Sequence, residues 1–203
     1  MPRPEGCPYS LPREVDTLVK EHAFGGRLLM VGFGCVGQGV LPLLLRHIDM
    51  QPGQIRVVTA DDRGRELAQR YGVALQATPV TRENHRQLLE PLLGPGDFLL
   101  NVSVDVGSAD LISLCHERGA LYLDTCIEPW AGGYVDRRVP AEQRTNYALR
   151  EAALARRRPW RDGPTAVLTH GANPGLVSHF VKQALLDVAR ACGRPVEPPA
   201  DRL

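Results

Sequence analysis

The sequence has little net charge, few aromatic residues and no long apolar segment. Its 203 residues contain 24 Lys and Arg against 23 Asp and Glu, which gives a formal net charge of +1. A charge this close to zero provides no general attraction to nucleic acids or anionic membranes, so we expect neither as a partner. No apolar run approaches the roughly 20 residues of a membrane-spanning helix, and the N-terminus lacks the apolar core of a secretion signal.

Cysteine is scarce and shows no pairing pattern. Five cysteines, an odd number with no C-x-x-C pair, lie at Cys7, Cys35, Cys115, Cys126 and Cys192. We therefore expect neither a disulfide framework nor a thiolate metal site, and the six histidines show no metal-ligand spacing. Reduced thiols are typical of the cytoplasm, where we expect this protein to work without a metal.

What the sequence does contain is a glycine-rich stretch, RLLMVGFGCVGQG, at residues 27–39. A short apolar run enters the pattern G-x-G-x-x-G, formed by Gly32, Gly34 and Gly37, and a second apolar run follows. The first glycine permits a sharp turn, the second lets a pyrophosphate approach the backbone, and the third lets helix and strand pack closely. An ordinary glycine-rich turn is the alternative, but the order strand, turn, helix favours dinucleotide binding.

A pair of acidic residues follows the second predicted strand, residues 55–60. Asp61 lies 24 positions after Gly37, a suitable distance for the carboxylate that accepts hydrogen bonds from an adenosine ribose. Asp61 and Asp62 are both candidates, and a turn or a helix cap is the alternative role for either. An acid at this point favours NAD over NADP, although the neighbouring Arg63 weakens that preference.

The remaining sequence alternates between helix and strand patterns. Helices are predicted at 65–71, 81–93 and 108–118, and strands at 73–77, 98–104 and 121–125. With the strands at 28–31 and 55–60, this rhythm predicts an α/β fold with a doubly wound parallel sheet, a Rossmann-type dinucleotide-binding domain.

We predict three parts of the chain: a leader at 1–26, the dinucleotide-binding domain at 27–139, and a crossover with the beginning of a second domain at 140–203. The third part contains a predicted helix at 140–158, a strand at 165–169 and a helical apolar stripe between Leu176 and Val188. Because little sequence remains to cover that stripe, we expect the second domain to be incomplete and the chain to be a truncated larger protein.

Three predicted loops follow strands of the sheet, at 101–105, 126–130 and 171–175. In open α/β sheets, ligands bind beyond the carboxyl ends of the strands, where these loops supply Ser103, Asp105, Glu128, Trp130 and Asn173. Two carboxylates beside an indole suit a cationic substrate, and a carboxylate can also accept its proton. Helix capping is the alternative for Asp105, and core packing is the alternative for Trp130. His170 borders the same crevice as a candidate acid or base, although a packing or surface role is the commoner one.

Five segments together resemble the bacterial homospermidine synthases, a family in the saccharopine-dehydrogenase-like group of NAD enzymes. The segments are MVGFGCVGQGVLPLL, NVSVDVGSADLI, GALYLDTCIEPW, TNYALRE and HGANPGLVSHFVKQAL. The resemblance runs from about residue 27 to residue 191. It covers the N-terminal portion of the longer family members.

The resemblance implies a specific reaction. Family members join two putrescines, or spermidine and putrescine, into sym-homospermidine and release ammonia or 1,3-diaminopropane. NAD⁺ takes hydride from the first amine, a second putrescine condenses with the resulting imine, and the hydride is returned. No net oxidation occurs, so the enzyme is a transferase. The resemblance also implies that the full-length protein is a homodimer and that its second domain completes the substrate site. We therefore expect the 203 residues alone to bind NAD weakly and to turn over little or no putrescine.

The resemblance also implies roles for individual residues. Gly32, Gly34 and Gly37 would hold the pyrophosphate, and Val36 would lie along the cofactor. The ribose and nicotinamide would lie near Asn101, Val102 and Ser103. Family positions of the polyamine pocket and of catalysis correspond to Asp105, Glu128 and Asn173, with Glu128 binding or deprotonating an amine. Two alternatives stay open: a related saccharopine or carboxynorspermidine type of NAD(P) oxidoreductase, and a non-catalytic NAD-binding fragment.

Overall fold

The computed structural model describes residues 20–157, 160, 162–173 and 175–194. In these residues the elements follow in the order β1 His22–Ala23, β2 Leu28–Val31, α1 Cys35–His47, β3 Ile48–Asp49, β4 Ile55–Thr59, α2 Arg65–Arg70, β5 Ala74–Ala77, α3 His85–Leu89, β6 Phe98–Asn101, α4 Ser108–Arg118, β7 Leu121–Asp124, α5 Asn146–Arg157, β8 Ala166–Val167 and α6 Val177–Ala191. Short 3-10 turns lie at Pro52–Gln54, Glu90–Leu92 and Ala141–Arg144.

Six of the strands form one parallel sheet in the order β5-β4-β2-β6-β7-β8. When only these six strands are counted along the chain, leaving out β1 and β3, their order in the sheet is 3-2-1-4-5-6. This is the order of dinucleotide-binding sheets, so the predicted doubly wound fold is confirmed. The order of the strands reverses between β2 and β6. The loops that leave these two strands therefore diverge, and they open a crevice at the carboxyl edge of the sheet.

The sheet is covered on both faces, which explains the near-continuous apolar strands. In β2, all four residues are buried, and successive side chains enter opposite faces. Leu29 packs in one cluster with Leu99, Leu111 and Tyr122. Met30 packs in the other cluster with the side chains Leu41, Val57, Leu100 and Phe33.

Several predicted boundaries shift for local reasons. The helix expected at 81–93 begins only at His85, after a turn in which Thr81 and Asn84 exchange side-chain and backbone hydrogen bonds, as in a capping box. Thr81 N donates to Asn84 Oδ1 at 2.8 Å, and Asn84 N donates to Thr81 Oγ1 at 3.3 Å. The helix expected at 140–158 is a 3-10 turn followed by α5, and Arg158 lies outside the described residues.

The predicted division into three parts stays a prediction. Of the leader, residues 1–19 lie outside the described residues, while β1 pairs with β3 beside the end of α1. After residue 139, α5 packs on α4, and β8 joins the main sheet through β7. The beginning of the third part thus contributes to the same sheet as the second.

One ion pair ties together the entries of the two strands that flank the crevice. Asp97, which is 5% exposed, accepts hydrogen bonds from Arg27 N at 2.8 Å, Arg27 Nε at 3.0 Å, Arg27 Nη2 at 2.6 Å and Gly94 N at 2.8 Å. Burial by itself would raise the pKa of Asp97, but the hydrogen bonds from Arg27 and Gly94 outweigh it and lower the pKa. The pair fixes the start of β2 against the start of β6.

We predict that Asp97→Asn lowers the free energy of unfolding by about 2 kcal/mol at neutral pH, because an amide NH₂ would face some of these donors. The folded-state pKa of Asp97 is lowered, so its stabilisation is present above the unfolded carboxyl pKa of about 3.9 and is lost as pH falls through the folded value. Urea unfolding should therefore show wild type and variant converging in acid. Glu117→Gln is the control, since its pair with Arg86 leaves both side chains 49% exposed and should contribute less than about 1 kcal/mol. An Asp97→Asn cost no larger than this control would contradict the prediction.

Candidate functional site

The crevice begins where the loop after β2 meets the loop after β6. Gly32 has a left-handed φ of 92°. A Cβ added to Gly32 would lie 2.7 Å from both the Cα and the N of Ser103. Position 32 thus requires glycine for its backbone conformation and for the close approach of Ser103.

The N-terminus of α1 opens into free space at the next glycine. Gly34 is the N-cap of α1, with no side-chain cap, and the first turn contains no acidic residue. A Cβ added to Gly34 would meet nothing within 4 Å. The first amide hydrogens of a 13-residue helix therefore face an open cradle, which fits a diphosphate.

Gly37 faces the sheet, and its neighbour Val36 faces solvent. A Cβ added to Gly37 would lie 2.8 Å from Gly32 O and 3.3 Å from Met30 Sδ, so the absence of a side chain lets α1 pack closely against β2. Val36 instead faces outward, with half of its surface exposed. The structure thus gives the three glycines the separate surroundings that the motif predicts.

Asp61 and Asp62, the two acidic residues after β4, differ in their contacts with neighbouring cations. Asp61 accepts hydrogen bonds from Arg63 N at 3.0 Å and from Arg63 Nε at 2.9 Å, and these bonds lower the pKa of Asp61. Asp62 is more exposed, and its nearest cation is Arg65 at 4.0 Å. Asp61 is therefore the better-ordered ribose candidate. The choice between the two acids stays a prediction.

Across the crevice, a carboxylate group is assembled from the loops after β6 and β7. Asp105 is one of the non-glycine residues with positive φ, at 63°, and both its backbone N–H and its charge affect the pKa of the Glu128 carboxyl. The Cys126 thiol donates to Ile127 O at 3.7 Å, and Glu128 Oε2 is buried and has no hydrogen-bond partner among the described residues. The structure therefore brings together Asp105 and Glu128, as predicted from their loops.

The surroundings of Glu128 make its carboxylate more basic than that of a free glutamate. Burial raises the pKa of Glu128, and repulsion from Asp105 and Asp124 acts in the same direction, against the opposing effects of the Cys126 thiol and the Asp105 backbone N–H. A half-buried carboxyl with one unpaired oxygen and a raised pKa is suited to accepting a proton from a cationic ligand and to giving it up again.

Sequence reasoning missed Tyr134, which lies beside this carboxyl. Its hydroxyl lies 3.0 Å from Asn146 Oδ1 and 3.2 Å from Ile127 O, both acceptors. Burial, followed by the charge of Glu128, raises the pKa of Tyr134 to about 12, so the phenol stays neutral. No spacing rule marks this residue. Only the turn glycines before it indicate that the chain folds back here.

The remaining candidates occupy different environments. Ser103 borders the glycine bend, and its Oγ donates to Asn101 Oδ1 at 2.5 Å. Asn101 is 1% exposed, so its side chain points into the protein rather than into the crevice. Val102 packs partly buried against the cluster that contains Met30.

Trp130 and Asn173 do not join the carboxylate group in the described contacts. The Trp130 indole is 8% exposed, donates from Nε1 to Asp110 Oδ2 at 2.6 Å, and lies 5.2 Å from the His85 ring. These contacts match the packing alternative, and they do not support the substrate-binding role. Asn173 is exposed in the loop after β8, and His170 lies next to that loop. Their roles stay predictions.

The family comparison agrees with this geometry. Residues 28–167 match the family model of the saccharopine dehydrogenase NADP binding domain. The chain belongs to this family. The match includes the glycine bend, Asp61, Asp105 and Glu128.

Within this family, the chain is similar to homospermidine synthases, which confirms the resemblance found in its motifs. It is 48% identical to the homospermidine synthase of Blastochloris viridis over 184 residues, covering 89% of this chain and 39% of that protein. It is 44% identical to the homospermidine synthase of Mesorhizobium japonicum over 178 residues, covering 86% of this chain and 37% of that protein.

A solved structure of the same kind is also similar. The crystal structure of the homospermidine synthase from Legionella pneumophila in complex with NAD matches with a TM-score of 0.73 and 39% identity. The match covers 89% of this chain and 37% of that one. The chain thus spans less than two fifths of the length of these relatives.

Two kinds of feature are absent from the described residues. None of their helices is both long and apolar enough to span a bilayer. No group of three or more His, Cys, Asp and Glu side chains within the same residues could hold a metal ion.

We predict that Gly37→Ala and Gly39→Ala have opposite effects, although both lie in α1. At position 37 the new methyl would overlap Gly32 O, so the free energy of unfolding should fall by about 1–3 kcal/mol. At position 39 nothing lies within 4 Å of the methyl, and better helix propensity should raise stability by about 0.5–1 kcal/mol. Urea unfolding of both variants measures the difference. Equal effects would show that Gly37 does not set the contact between α1 and β2.

Proposed function

We propose that the chain binds NAD⁺ at its glycine bend and is part of a homospermidine synthase. The observation that carries the proposal is the position of Glu128 and Asp105. These carboxyls lie in the crevice that also holds the open N-terminus of α1. The homospermidine synthases of Blastochloris viridis and Mesorhizobium japonicum, at 44–48% identity, support the same function.

The residues around the bend fit a dinucleotide. Gly32, Gly34 and Gly37 would hold the pyrophosphate, with Val36 along the cofactor and Asp61 at the adenosine ribose. The loop of Val102 and Ser103 would lie near the nicotinamide. When bound, NAD⁺ supplies a reversible hydride acceptor. The acid at position 61 favours NAD over NADP, and the relative from Legionella pneumophila was solved in complex with NAD.

The acidic side of the crevice fits a diamine such as putrescine, or the triamine spermidine. An ammonium group must lose a proton before hydride can leave the adjacent carbon, and the Glu128 carboxyl, with its unpaired Oε2, is placed to receive that proton. Asp105 and Asn173 would hold the amine or the cofactor in position. Two putrescines would give one homospermidine and one ammonia without net oxidation.

The contacts around Glu128 favour this function over a saccharopine or carboxynorspermidine type of oxidoreductase. Enzymes of that type recognise substrate carboxylates and need cationic side chains in the crevice. The charged groups that act on the Glu128 carboxyl are instead the acids Asp105 and Asp124.

A cytoplasmic location and a homodimer in the full-length protein are parts of the same proposal. The free thiols of Cys35, Cys115, Cys126 and Cys192 support a reducing compartment.

We predict that Gly34→Ala weakens NAD⁺ binding at least tenfold, because the methyl would occupy the space through which the diphosphate approaches α1. Stability should fall by no more than about 1 kcal/mol, since the methyl meets no protein atom and only the poorer N-cap preference of alanine remains. Isothermal titration calorimetry of wild type, Gly34→Ala and the control Gly39→Ala measures this. Absence of heat with wild type, or unchanged affinity in Gly34→Ala, would reject the proposed cofactor site.

We predict that Glu128→Gln lowers turnover by a factor of about 10²–10⁴, as expected for the loss of a general base, while NAD⁺ affinity stays within a factor of about two. The assay supplies putrescine with catalytic NAD⁺ and measures ammonia and homospermidine, using the full-length synthase of which this chain is proposed to be a part. The control is Glu142→Gln, at an exposed acid. Unchanged turnover would remove Glu128 from the mechanism, and net NADH formation would indicate an oxidoreductase instead. NAD⁺ binding without either product would indicate a non-catalytic NAD-binding protein.

A further inference from the structure

A chain of buried polar side chains runs beneath the crevice, from the loop after β6 to the loop after β8. Ser103 Oγ donates to Asn101 Oδ1, and Asn101 Nδ2 donates to the Tyr122 hydroxyl at 3.2 Å. That hydroxyl donates to Asp124 Oδ2 at 2.9 Å, and Asp124 Oδ1 accepts from Thr169 N at 2.6 Å. Asn101, Tyr122 and Asp124 are each at most 1% exposed.

Burying these polar side chains costs free energy, because each of them must be desolvated. Apolar side chains would fill the same positions of β6 and β7 without that cost, as they do at Leu99 and Leu100. Burial raises the pKa of Asp124, and the hydrogen bonds from Thr169 and Tyr122 oppose this change. The placement of these groups therefore serves something other than packing.

Both ends of this series of hydrogen-bonded side chains lie in crevice loops that contain strained backbone. Among the described residues, the non-glycine residues with positive φ are Asp105, at 63°, and Thr169, at 57°. A β-branched residue such as Thr169 is rarely found in this region and needs surrounding contacts to hold it there. Asp124 provides two of them, since its side chain accepts from Thr169 N and its backbone O accepts from His170 N at 2.8 Å.

The hydrogen-bond directions assign a role to Asn101. Its Oδ1 accepts from both the N and the Oγ of Ser103, and its Nδ2 donates to Tyr122. With its amide used in this way, Asn101 has no polar atom turned toward the crevice. Ser103, whose hydroxyl hydrogen points inward, offers its Oγ only as an acceptor beside Gly32.

We propose that Asp124 is a positioning residue that acts through Tyr122 and Asn101 to present Ser103 Oγ as an acceptor to the nicotinamide half of the dinucleotide. Through Thr169 N, the same carboxylate holds the loop after β8 at the other side of the crevice. Asp124 itself touches neither cofactor nor substrate. The inference rests on the proposed NAD site, and it assigns Asn101 to positioning rather than to cofactor contact.

The test compares two ligands that share the adenosine and the diphosphate. Tyr122→Phe removes one oxygen, breaks the connection between Asp124 and Asn101, and should weaken NAD⁺ binding about tenfold in isothermal titration calorimetry. ADP lacks the nicotinamide half, so its affinity should change by less than a factor of about two. Tyr71→Phe is the matched control. Tyr71 is partly buried and lies between α2 and β5, at the amino edge of the sheet, and neither ligand should respond to its loss.

The outcomes separate this inference from the proposed function. Equal losses of NAD⁺ and ADP affinity in Tyr122→Phe would reveal a general structural effect and would overturn the inference, as would an unchanged NAD⁺ affinity. Wild type that binds neither ligand would overturn the NAD site itself. If Tyr122→Phe does not fold, Ser103→Ala serves as the second variant, since it removes the hydroxyl at the crevice end of the series of side chains. It must then show the same selective loss of NAD⁺ affinity. Equal loss of both ligands in Ser103→Ala would also overturn the inference.

Discussion

The close contact between Gly32 and Ser103 is the constraint on which the rest of the crevice depends. It is possible only because residue 32 has no side chain, and it brings the loops after β2 and β6 together at the point where the strand order reverses. This contact places the open N-terminus of α1 next to the loop that carries Asp105. A larger residue at position 32 would separate these loops before any ligand could bridge them.

The crevice is built from groups that do not favour stability. The strained backbone lies at Asp105 and Thr169, the polar side chains of Asn101, Tyr122 and Asp124 are buried beneath the crevice, and Glu128 keeps a carboxyl oxygen without a partner among the described residues. The entries of β2 and β6 at the opposite edge of the sheet are instead joined by the well-paired Asp97 and Arg27. Concentrating strain at one edge, with good pairing at the other, is typical of a scaffold that holds a functional site.

Local patterns predicted the elements whose stability is local or depends only on burial. The strand Leu28–Val31 and the helix Ser108–Arg118 were predicted residue for residue, from an apolar run before a glycine and from an amphipathic period that ends at Gly119. The start of α3 was predicted four residues too early, because a turn capped by Thr81 precedes the first regular helical residue, His85. Tyr134 and the connection from Asp124 to Asn101 depend on which strands become neighbours, and no spacing along the chain contains that information.

The two sides of the crevice have opposite electrostatic character, and this explains how one site could order two charged ligands. The α1 terminus presents amide hydrogens and the positive end of a helix dipole, which attract a diphosphate. The carboxyls of Asp105 and Glu128 form the other side, which attracts ammonium groups and repels phosphates. The diphosphate lies at the middle of the dinucleotide and stays at α1 in either orientation, so the acids instead favour the orientation that brings the positively charged nicotinamide ring of NAD⁺ toward them. In the function proposed above, a diamine would then be held where its reacting carbon can approach that ring, and binding and orientation would follow from the same separation of charge.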